Sequence, residues 1–328
     1  MVHDKPPGWQ EAASNTKERE PKIHLKFFFA RHLTPEDHKE LKELIRDVDV
    51  VAVENVGWTE ESNRHLNEAS QDESGESLPD DDYYSPLRAF RGSKKPIISI
   101  DVSKDHPEFS RLEQLHYRVG VASQQALESL LNGDYESAVE ASRQGGQYLF
   151  VAVAQLRDRT TEDQLRNIRQ QIDEKFPELD TQNDINMLIV MGLSHTQVHH
   201  DLKRDGADVS LNFSEFPVKS HSILNEVVSR MRHSKDIPER LLALYPIETL
   251  LGHVWGGLTK DTDKIIFLER AILNQLSDHD VRLIYTRMKF SPNRNVQIVL
   301  DFLEEKGIEV PRSPEDVDRL LKEKYRVP

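Results

Sequence analysis

The stretch INMLIVMGLSH (residues 185–195) decides the fold class, because its apolar residues continue without the alternation expected of a strand with one face in water. Continuous runs rich in Val, Ile and Leu are typical of strands buried on both faces of a parallel sheet. Three further runs share this character: IHLKFFFA (23–30), VDVVAVE (48–54) and PIISID (96–101). The sequence therefore predicts an α/β fold whose central sheet is mostly parallel and flanked by helices.

An ionisable side chain stands at or just beyond the end of each of these runs. The four residues are His32, Glu54, Asp101 and His195. In parallel sheets the ligand site lies just beyond the carboxyl ends of the strands. Two imidazoles and two carboxylates at one edge suit a divalent metal ion or general acid–base chemistry. A single histidine after a strand more often makes a local hydrogen bond, but four such endings in one chain favour a shared site.

The segment between the first two runs has the pattern of a crossover helix. Residues 34–37 (TPED) supply an N-cap threonine, a proline at the first helical position and acidic residues in the first turn. Leu41 and Ile45 then lie on one apolar face. Strand, helix and strand make a parallel unit, which predicts that His32 and Glu54 are neighbours.

A second crossover follows His195. Val198 and Leu202 mark a short helix, Gly206 ends it, and the strand-like segment ADVSLNF (207–213) comes next. The same strand–helix–strand order thus recurs, which supports the parallel arrangement.

The order of these segments resembles the TraB/TIKI family, within the wider erythromycin-esterase/ChaN-like superfamily, over about residues 23–213. The segments that carry the resemblance are FARHLTPEDHKELKELI, DVDVVAVE, IISID, LRDRTTEDQLRNI and INMLIVMGLSHTQVHHDL. The family's hallmarks are two Gly-x-x-His motifs after strands, a Glu at the end of the second strand and an Arg-Asp pair before a helix. The resemblance implies a TraB/TIKI-like fold.

Most of these hallmarks are present position by position. The matching residues are Gly192 with His195, then Glu54, and Arg157 with Asp158. The first Gly-x-x-His motif departs from the pattern, because Phe29 stands where the family has glycine. A phenylalanine does not allow the close backbone approach of a glycine, and this leaves the geometry of His32 open.

The superfamily hosts several chemistries: TIKI-like members are metal-dependent proteases, ChaN-like proteins bind haem, and erythromycin esterases use a histidine to activate water. The resemblance therefore implies hydrolysis of an amide or ester bond in a peptide or small-molecule substrate, assisted by zinc, manganese or cobalt. The metal ligands would be His32, His195 and Asp101. Glu54 would be the general base or a further ligand, and Arg157, with Asp158 beside it, would orient the substrate and steady a developing negative charge.

Two alternatives stay open. One is a non-catalytic, ChaN-like ligand-binding protein that keeps the fold and has lost catalysis. The other is that some of the candidate site residues have a structural role instead of a catalytic one. Asp101 would cap a turn, and Arg157 and Asp158 would cap the helix whose apolar stripe begins at Leu165 and Ile168.

Composition excludes several function classes. The chain has 328 residues and a formal net charge of −14, without the clusters of Lys and Arg that nucleic-acid binding requires. It contains no cysteine, so thiolate nucleophiles, disulfides and Cys-ligated metals are excluded. The sequence lacks the apolar core of a signal peptide and any apolar run of the roughly 18 residues that a membrane span needs. We therefore expect a cytoplasmic protein with no membrane partner.

Three parts are expected along the chain: a flexible tail (1–21), the α/β domain (22–219) and a mainly helical C-terminal region (220–328). Within the last part, VRLIYTRMKF (281–290) is a candidate strand. This region carries no catalytic motif, so we expect its helices to serve packing or homo-oligomerisation. The acidic run EASQDESGESLPDDD (68–82) is interpreted as a solvated loop, with a lid over the site as the alternative.

Overall fold

The computed structural model describes residues 21–30, 35–72, 87–179, 183–213, 222–259, 262–290 and 295–324. Within these ranges five strands form one sheet: β1 (Ile23–Ala30), β2 (Val50–Glu54), β3 (Ile97–Ile100), β4 (Ile185–Gly192) and β5 (Val209–Phe213). Their order is β3-β2-β4-β1-β5, and all neighbouring strands are parallel. The predicted α/β fold with a parallel sheet is confirmed, and each strand lies within a run identified from the sequence. The expected direct pairing of β1 with β2, from which His32 and Glu54 were predicted to be neighbours, is wrong, because β4 lies between the two strands.

Helices connect and follow the strands. Before β4 they are α1 (Pro35–Arg46), α2 (Glu60–Gln71), α3 (Leu87–Phe90), α4 (Phe109–Leu131), α5 (Tyr135–Phe150), α6 (Asp158–Arg166) and α7 (Ile168–Lys175). After β4 they are α8 (Thr196–Arg204), α9 (Ile223–Arg232), α10 (Glu239–Trp255), α11 (Thr262–Leu273), α12 (Asp278–Phe290), α13 (Asn295–Glu305) and α14 (Pro314–Arg319). A π-helical segment (Val151–Arg157) joins α5 to α6, a 3₁₀ turn (Leu193–His195) precedes α8, and a second π-helical segment (Leu320–Lys324) follows α14. In the described ranges, none of these helices has the length and apolar composition needed to cross a membrane.

Helices cover both faces of the sheet, and alternation along β1 sets the two faces. Phe27 and Phe29 point to the face on which Val198 of α8 packs, whereas Phe28 points to the face on which Leu41 of α1 packs. The connection that leaves β1 therefore crosses one face, and the connection that leaves β4 crosses the other. Because β1 and β4 are neighbours, their carboxyl ends flank the topological switch point, where α/β sheets bind ligands.

A second hydrophobic core lies among the helices and draws on segments from both sides of β4. Leu130 and Val139, from the α4–α5 hairpin, belong to one cluster with Leu242, Trp255 and Tyr285. Packing thus groups the hairpin with the C-terminal helices, although the chain separates them. The predicted boundary near residue 220 and the predicted self-association stay predictions, and the tail up to residue 20 and positions 73–82 of the acidic run lie outside the described residues.

The segment VRLIYTRMKF is helical, so the predicted strand at 281–290 is wrong. It forms most of α12, whose first turn is capped by reciprocal hydrogen bonds between Ser277, which precedes the helix, and Asp280 within it. Val281, Ile284 and Met288 are buried at intervals of three and four residues. This period places one apolar face on the helical core, and that packing outweighs the strand propensity of the β-branched and aromatic residues.

Candidate functional site

Glu54 and His195 meet at the carboxyl end of the sheet. Glu54 is the last residue of β2, and His195 ends the 3₁₀ turn that follows β4. Because β2 and β4 are parallel neighbours, the two side chains come together, with Nε2 of His195 3.1 Å from Oε1 of Glu54. The backbone N–H of Gly192 donates a hydrogen bond of 2.6 Å to Oε2 of Glu54.

Asp158 holds the other side of the His195 ring. Nδ1 of His195 is hydrogen-bonded to Oδ1 of Asp158, and Oδ2 of the same carboxylate lies 2.5 Å from Nη2 of Arg232. Asp158 is the first residue of α6, and Arg232 is the last residue of α9. The imidazole therefore lies between two carboxylates, one near each ring nitrogen.

Arg157 links Glu54 to Asp101. Its Nε donates a hydrogen bond of 2.8 Å to Oδ2 of Asp101, and its Nη2 donates to Oδ2 of Asp101 and to Oε1 of Glu54. The remaining carboxylate oxygen of Asp101 accepts a hydrogen bond of 2.6 Å from the backbone N–H of Val102. Charge-assisted hydrogen bonds to two carboxylates fix the direction of the guanidinium group.

The π-helical segment carries two consecutive residues into this network. Arg157 ends the segment and Asp158 begins α6, so both lie inside a continuous helix rather than at its start. Neither therefore caps a helix end, and both side chains face the edge of the sheet instead. Short π-helical insertions are rare and are frequent at functional sites, which fits a helix that presents adjacent side chains to one network.

The backbone of Asp101 is left-handed, with φ 101°, a conformation that costs a non-glycine residue about 1–3 kcal/mol. Gln164 offsets this cost, because its Oε1 accepts from the Asp101 N–H at 2.8 Å and its Nε2 donates to the Asp101 carbonyl at 3.0 Å. Nε1 of Trp58 donates to the same carbonyl at 3.1 Å. The turn directs the buried carboxylate at Arg157.

The network sets three carboxylates against three cations. They are Glu54, Asp101 and Asp158, and Arg157, Arg232 and His195. Burial disfavours the charged form of His195, but the charge of Glu54 and the hydrogen bond with Asp158 outweigh it and raise the pKa of the ring to about 9. Burial likewise disfavours the charged form of Glu54, yet the nearby cations, His195 first, hold the pKa of this carboxyl well below its usual range. At neutral pH, His195 is therefore a cation and Glu54 an anion.

Solvent reaches the network mainly at Glu54 and Arg157, whose side chains are 19% and 13% exposed. Asp101, Asp158 and His195 are at most 3% exposed. A ligand that approaches the carboxyl end of the sheet would therefore meet one carboxylate and one guanidinium group first. The three buried side chains act on such a ligand through Glu54 and Arg157.

A divalent metal ion fits part of this arrangement. Nε2 of His195 is buried, and Oε1 of Glu54, 3.1 Å away, is the acceptor nearest to it in the network. A carboxylate on the other ring nitrogen is the usual support of a metal-binding histidine. Glu54 and, once its Nε2 has released its proton, His195 therefore suit two ligand positions. Asp101 suits none, because its side chain is 0% exposed and is enclosed by Arg157 and the Val102 N–H, whereas Glu54 is partly open to solvent.

The third predicted metal ligand, His32, lies outside the described residues, two positions after the last residue of β1. Over the ranges that the structure describes, no group of three or more His, Asp and Glu side chains is arranged to hold a metal ion. Binding of zinc, manganese or cobalt therefore stays a prediction.

Phe29 is a core residue of β1. Its side chain is fully buried, its ring stacks on Phe27 with centroids 5.7 Å apart, and it lies 5.8 Å from the ring of Phe213. It packs in the cluster that contains Met191 and Val198, under α8. The phenylalanine that replaces the glycine of the first Gly-x-x-His motif is thus accommodated in the core on one face of the sheet.

Several members of the site were not found from the sequence. Arg232 comes from a region without any motif, and no sequence signal points to it. Gln164 follows Arg157 by about two helical turns, a spacing that could have drawn attention to it. His116 of α4 also interacts electrostatically with the network, because burial and then the charge of Arg157 lower the pKa of its ring.

Comparisons with models of protein families, with curated proteins and with solved structures gave no match for this chain. The resemblance to the TraB/TIKI family therefore rests on the motif residues alone and stays a prediction. Among those residues Glu54, Arg157, Asp158 and His195 contact one another in a single network.

Proposed function

We propose that this chain hydrolyses an amide or ester bond in a peptide or small molecule, with Glu54 as the general base. One observation carries the proposal: Glu54 and Arg157 are the most solvent-accessible members of an ionic network whose other carboxylates and histidine are buried, at the carboxyl edge of a parallel sheet. A carboxylate beside a guanidinium group offers a proton acceptor and a charge that stabilises an oxyanion.

The ion pair between Arg157 and Glu54 suggests how the base is activated. While Arg157 donates to Oε1 of Glu54, the lowered pKa makes this carboxylate a weak base. When Nη2 of Arg157 donates to a substrate carbonyl oxygen instead of to Oε1 of Glu54, with Nε still held by Asp101, Glu54 loses a charge-assisted hydrogen bond and becomes a stronger base. It then takes a proton from water, the water oxygen bonds to the carbonyl carbon, and the proton passes to the leaving nitrogen or oxygen as its bond to carbon breaks.

The buried members position the exposed ones. Asp101 fixes the guanidinium group of Arg157 through two of its nitrogens, and Asp158 fixes His195, whose Nε2 faces Glu54. A divalent zinc, manganese or cobalt ion, if bound, would be held by His195 and Glu54 with His32, and would supply a Lewis acid that lowers the pKa of the attacking water. In this arrangement Asp101 serves Arg157 rather than the metal.

The competing function is that of a non-catalytic ligand-binding protein. It is favoured by the charge balance of the network, since each of the three cations already contacts a carboxylate. A stable network of this kind keeps a fold together without any chemistry. Such a protein would bind a ligand at the carboxyl edge of the sheet without catalysing a reaction.

Turnover of a broad panel of peptides and esters tests the proposal, with zinc, manganese and cobalt each supplied and with a chelator. Glu54→Gln should keep the fold and lower turnover by about 10²- to 10⁴-fold, because an amide cannot accept the proton of water. Glu60→Gln, an exposed residue of α2 paired with Lys175, is the matched control and should keep full activity. Equal activity of Glu54→Gln and the wild type would refute the role of Glu54.

Measurements of metal content and affinity test whether a metal ion takes part. Purified protein should contain a divalent metal ion, and its affinity, measured by calorimetry, should fall as the pH drops, since ligand groups must lose their protons to bind. Affinity that survives His195→Gln would exclude this histidine as a ligand. Absence of turnover in every condition would leave the ligand-binding function as the better account.

A further inference from the structure

We infer that Arg232 is a positioning residue of this site and that helix α9 completes the site from the helical side of the molecule. Its Nη2 lies 2.5 Å from Oδ2 of Asp158, while Oδ1 of Asp158 is hydrogen-bonded to Nδ1 of His195. One carboxylate therefore joins the guanidinium group to the imidazole. The inference rests on the proposed function only where it concerns turnover.

The contact depends on close packing between α9 and α5. Gly146 of α5 lies against Val227 of α9, and a Cβ atom at this glycine would come within 2.5 Å of a valine methyl carbon. Val227 is fully buried and so has little freedom to move away. The missing side chain thus lets α9 approach the helix that continues through the π-helical segment into Asp158, and this approach places Arg232 beside the carboxylate.

The contact between Arg232 and Asp158 is needed because the carboxylate is buried. The Asp158 side chain is 3% exposed and that of Arg232 is 10% exposed, so solvent screens the pair poorly. Without Arg232, His195 is the one cation of the network left in contact with Asp158, and Oδ2 of this buried carboxylate faces no charge, which is costly in a low-dielectric interior. The carboxylate is then free to rotate, and rotation would weaken the hydrogen bond that fixes the His195 ring and, through the ring, the carboxylate of Glu54.

The network joins two parts of the chain. Strand ends and the α5–α6 helix supply most of the network, but its last cation comes from the beginning of the helical region that carries no motif. The helical core and the site are therefore coupled: a change that displaces α9 should reach His195 without touching any residue of the sheet.

The experiment compares Arg232→Gln, which removes the cation, with Arg232→Lys, which keeps a cation, and with Arg230→Gln. Arg230 is on the same helix but pairs with Glu226 and the Asp236 carbonyl, so it controls for the loss of any arginine from α9. The readout is the far-downfield proton resonance of the hydrogen-bonded His195 Nδ1–H in water, assigned by its absence in His195→Gln. Thermal unfolding is followed in parallel to identify variants that do not fold.

The wild type, Arg232→Lys and Arg230→Gln should show this resonance, and folded Arg232→Gln should lose it. If the wild type hydrolyses a substrate of the panel, kcat of Arg232→Gln should fall about 10- to 100-fold, as for other residues that orient a functional histidine, with little change in KM. Retention of the resonance in folded Arg232→Gln, or its absence from the wild type, overturns the inference. If Arg232→Gln does not fold, Arg232→Lys decides, and a folded lysine variant without the resonance also overturns it. The resonance needs no turnover, so failure of the hydrolase proposal and failure of this inference are distinguishable.

Discussion

Gly192 donates its backbone N–H to the carboxylate of Glu54 across two neighbouring strands, at 2.6 Å. The backbone of Gly192 is extended, with φ −70° and ψ 152°, so any residue could adopt it. The reason for glycine is space, because a Cβ atom at this position would lie 3.3 Å from Oε2 of Glu54. The glycine of this Gly-x-x-His motif therefore leaves room for the carboxylate of Glu54.

Gly192→Ala should loosen the Glu54 carboxylate, because the added methyl group crowds Oε2 and lengthens the hydrogen bond. We expect the free energy of unfolding to fall by about 1 kcal/mol, the usual worth of one hydrogen bond, and any turnover to fall further. Gly120→Ala is the control: it lies in α4, nothing lies within 4 Å of its added methyl group, and alanine is the better helix former. Equal stability changes in the two variants, measured by urea denaturation, would contradict the crowding at Glu54.

The raised pKa of His195 predicts a loss of stability at alkaline pH. The folded-state pKa of about 9 lies above the ordinary pKa of a histidine, 6.5. Protonation therefore stabilises the fold fully below about pH 6.5, and this contribution is lost as the pH rises through 9. For Glu54 the folded pKa is lowered, so its contribution is present above its unfolded value and is lost in acid.

The check is thermal unfolding between pH 6 and pH 10 for the wild type and His195→Gln. The wild type should lose stability across this range, and His195→Gln, which cannot titrate, should be less stable at pH 6 and should lose less on going to pH 10. Parallel curves for the two proteins would show that His195 does not carry the effect.

The sequence predicted the sheet well because its signal is local. Runs such as residues 23–30 and 185–192 are apolar throughout, and strands buried on both faces need this composition. Parallel strands put the ends of β2 and β4 at one edge, as predicted, but chain order did not predict that these two strands are neighbours, since β4 lies between β1 and β2. The same reasoning gave a wrong prediction for the α12 segment. Its apolar residues are compatible with a strand or a helix, and packing on the helical core stabilises the helix.

The rest of the site could not be predicted, because it depends on contacts between segments far apart in the chain. Arg232 reaches Asp158 only after α9 packs on α5, and nothing in residues 223–232 marks that contact in advance. The role of Asp101 as the partner of Arg157 also could not be predicted from the sequence. Its partner is an arginine 56 positions away, which engages an oxygen that a metal would need.

Phe29→Ala should destabilise the fold without opening the site. The ring is fully buried between Phe27 and the helices on one face of the sheet, and loss of a buried phenylalanine costs about 3–5 kcal/mol. Phe290→Ala is the control for the same substitution, because Phe290 is 77% exposed at the end of α12 and should cost little. Urea denaturation measures both. A folded Phe29→Ala variant of unchanged stability that gains turnover would show that this ring blocks catalysis.

Glu269 predicts a second and separate pH effect, in the helical core. Its side chain is buried on α11, its Oε1 has no hydrogen-bond partner among the described residues, and a Cβ atom on Gly252 would lie 3.0 Å from that oxygen. Burial, and then the charge of Glu248, raise the pKa of Glu269 to about 9. The folded protein therefore holds this proton more tightly than the unfolded chain does, so stability falls as the pH rises from about 4.5 to 9.

Glu269→Gln should remove this penalty, because the amide keeps the shape of the protonated acid and never ionises. Near pH 5 the variant and the wild type should be similar in stability, and at pH 8 the variant should be more stable by on the order of 4 kcal/mol. Glu136→Gln, at an exposed glutamate of α5, should leave stability unchanged at both pH values. Urea denaturation of the three proteins at pH 5 and pH 8 measures the effect. A Glu269→Gln variant whose advantage does not grow with pH would mean that Glu269 ionises without cost, through a cation or water that reaches its unpaired oxygen.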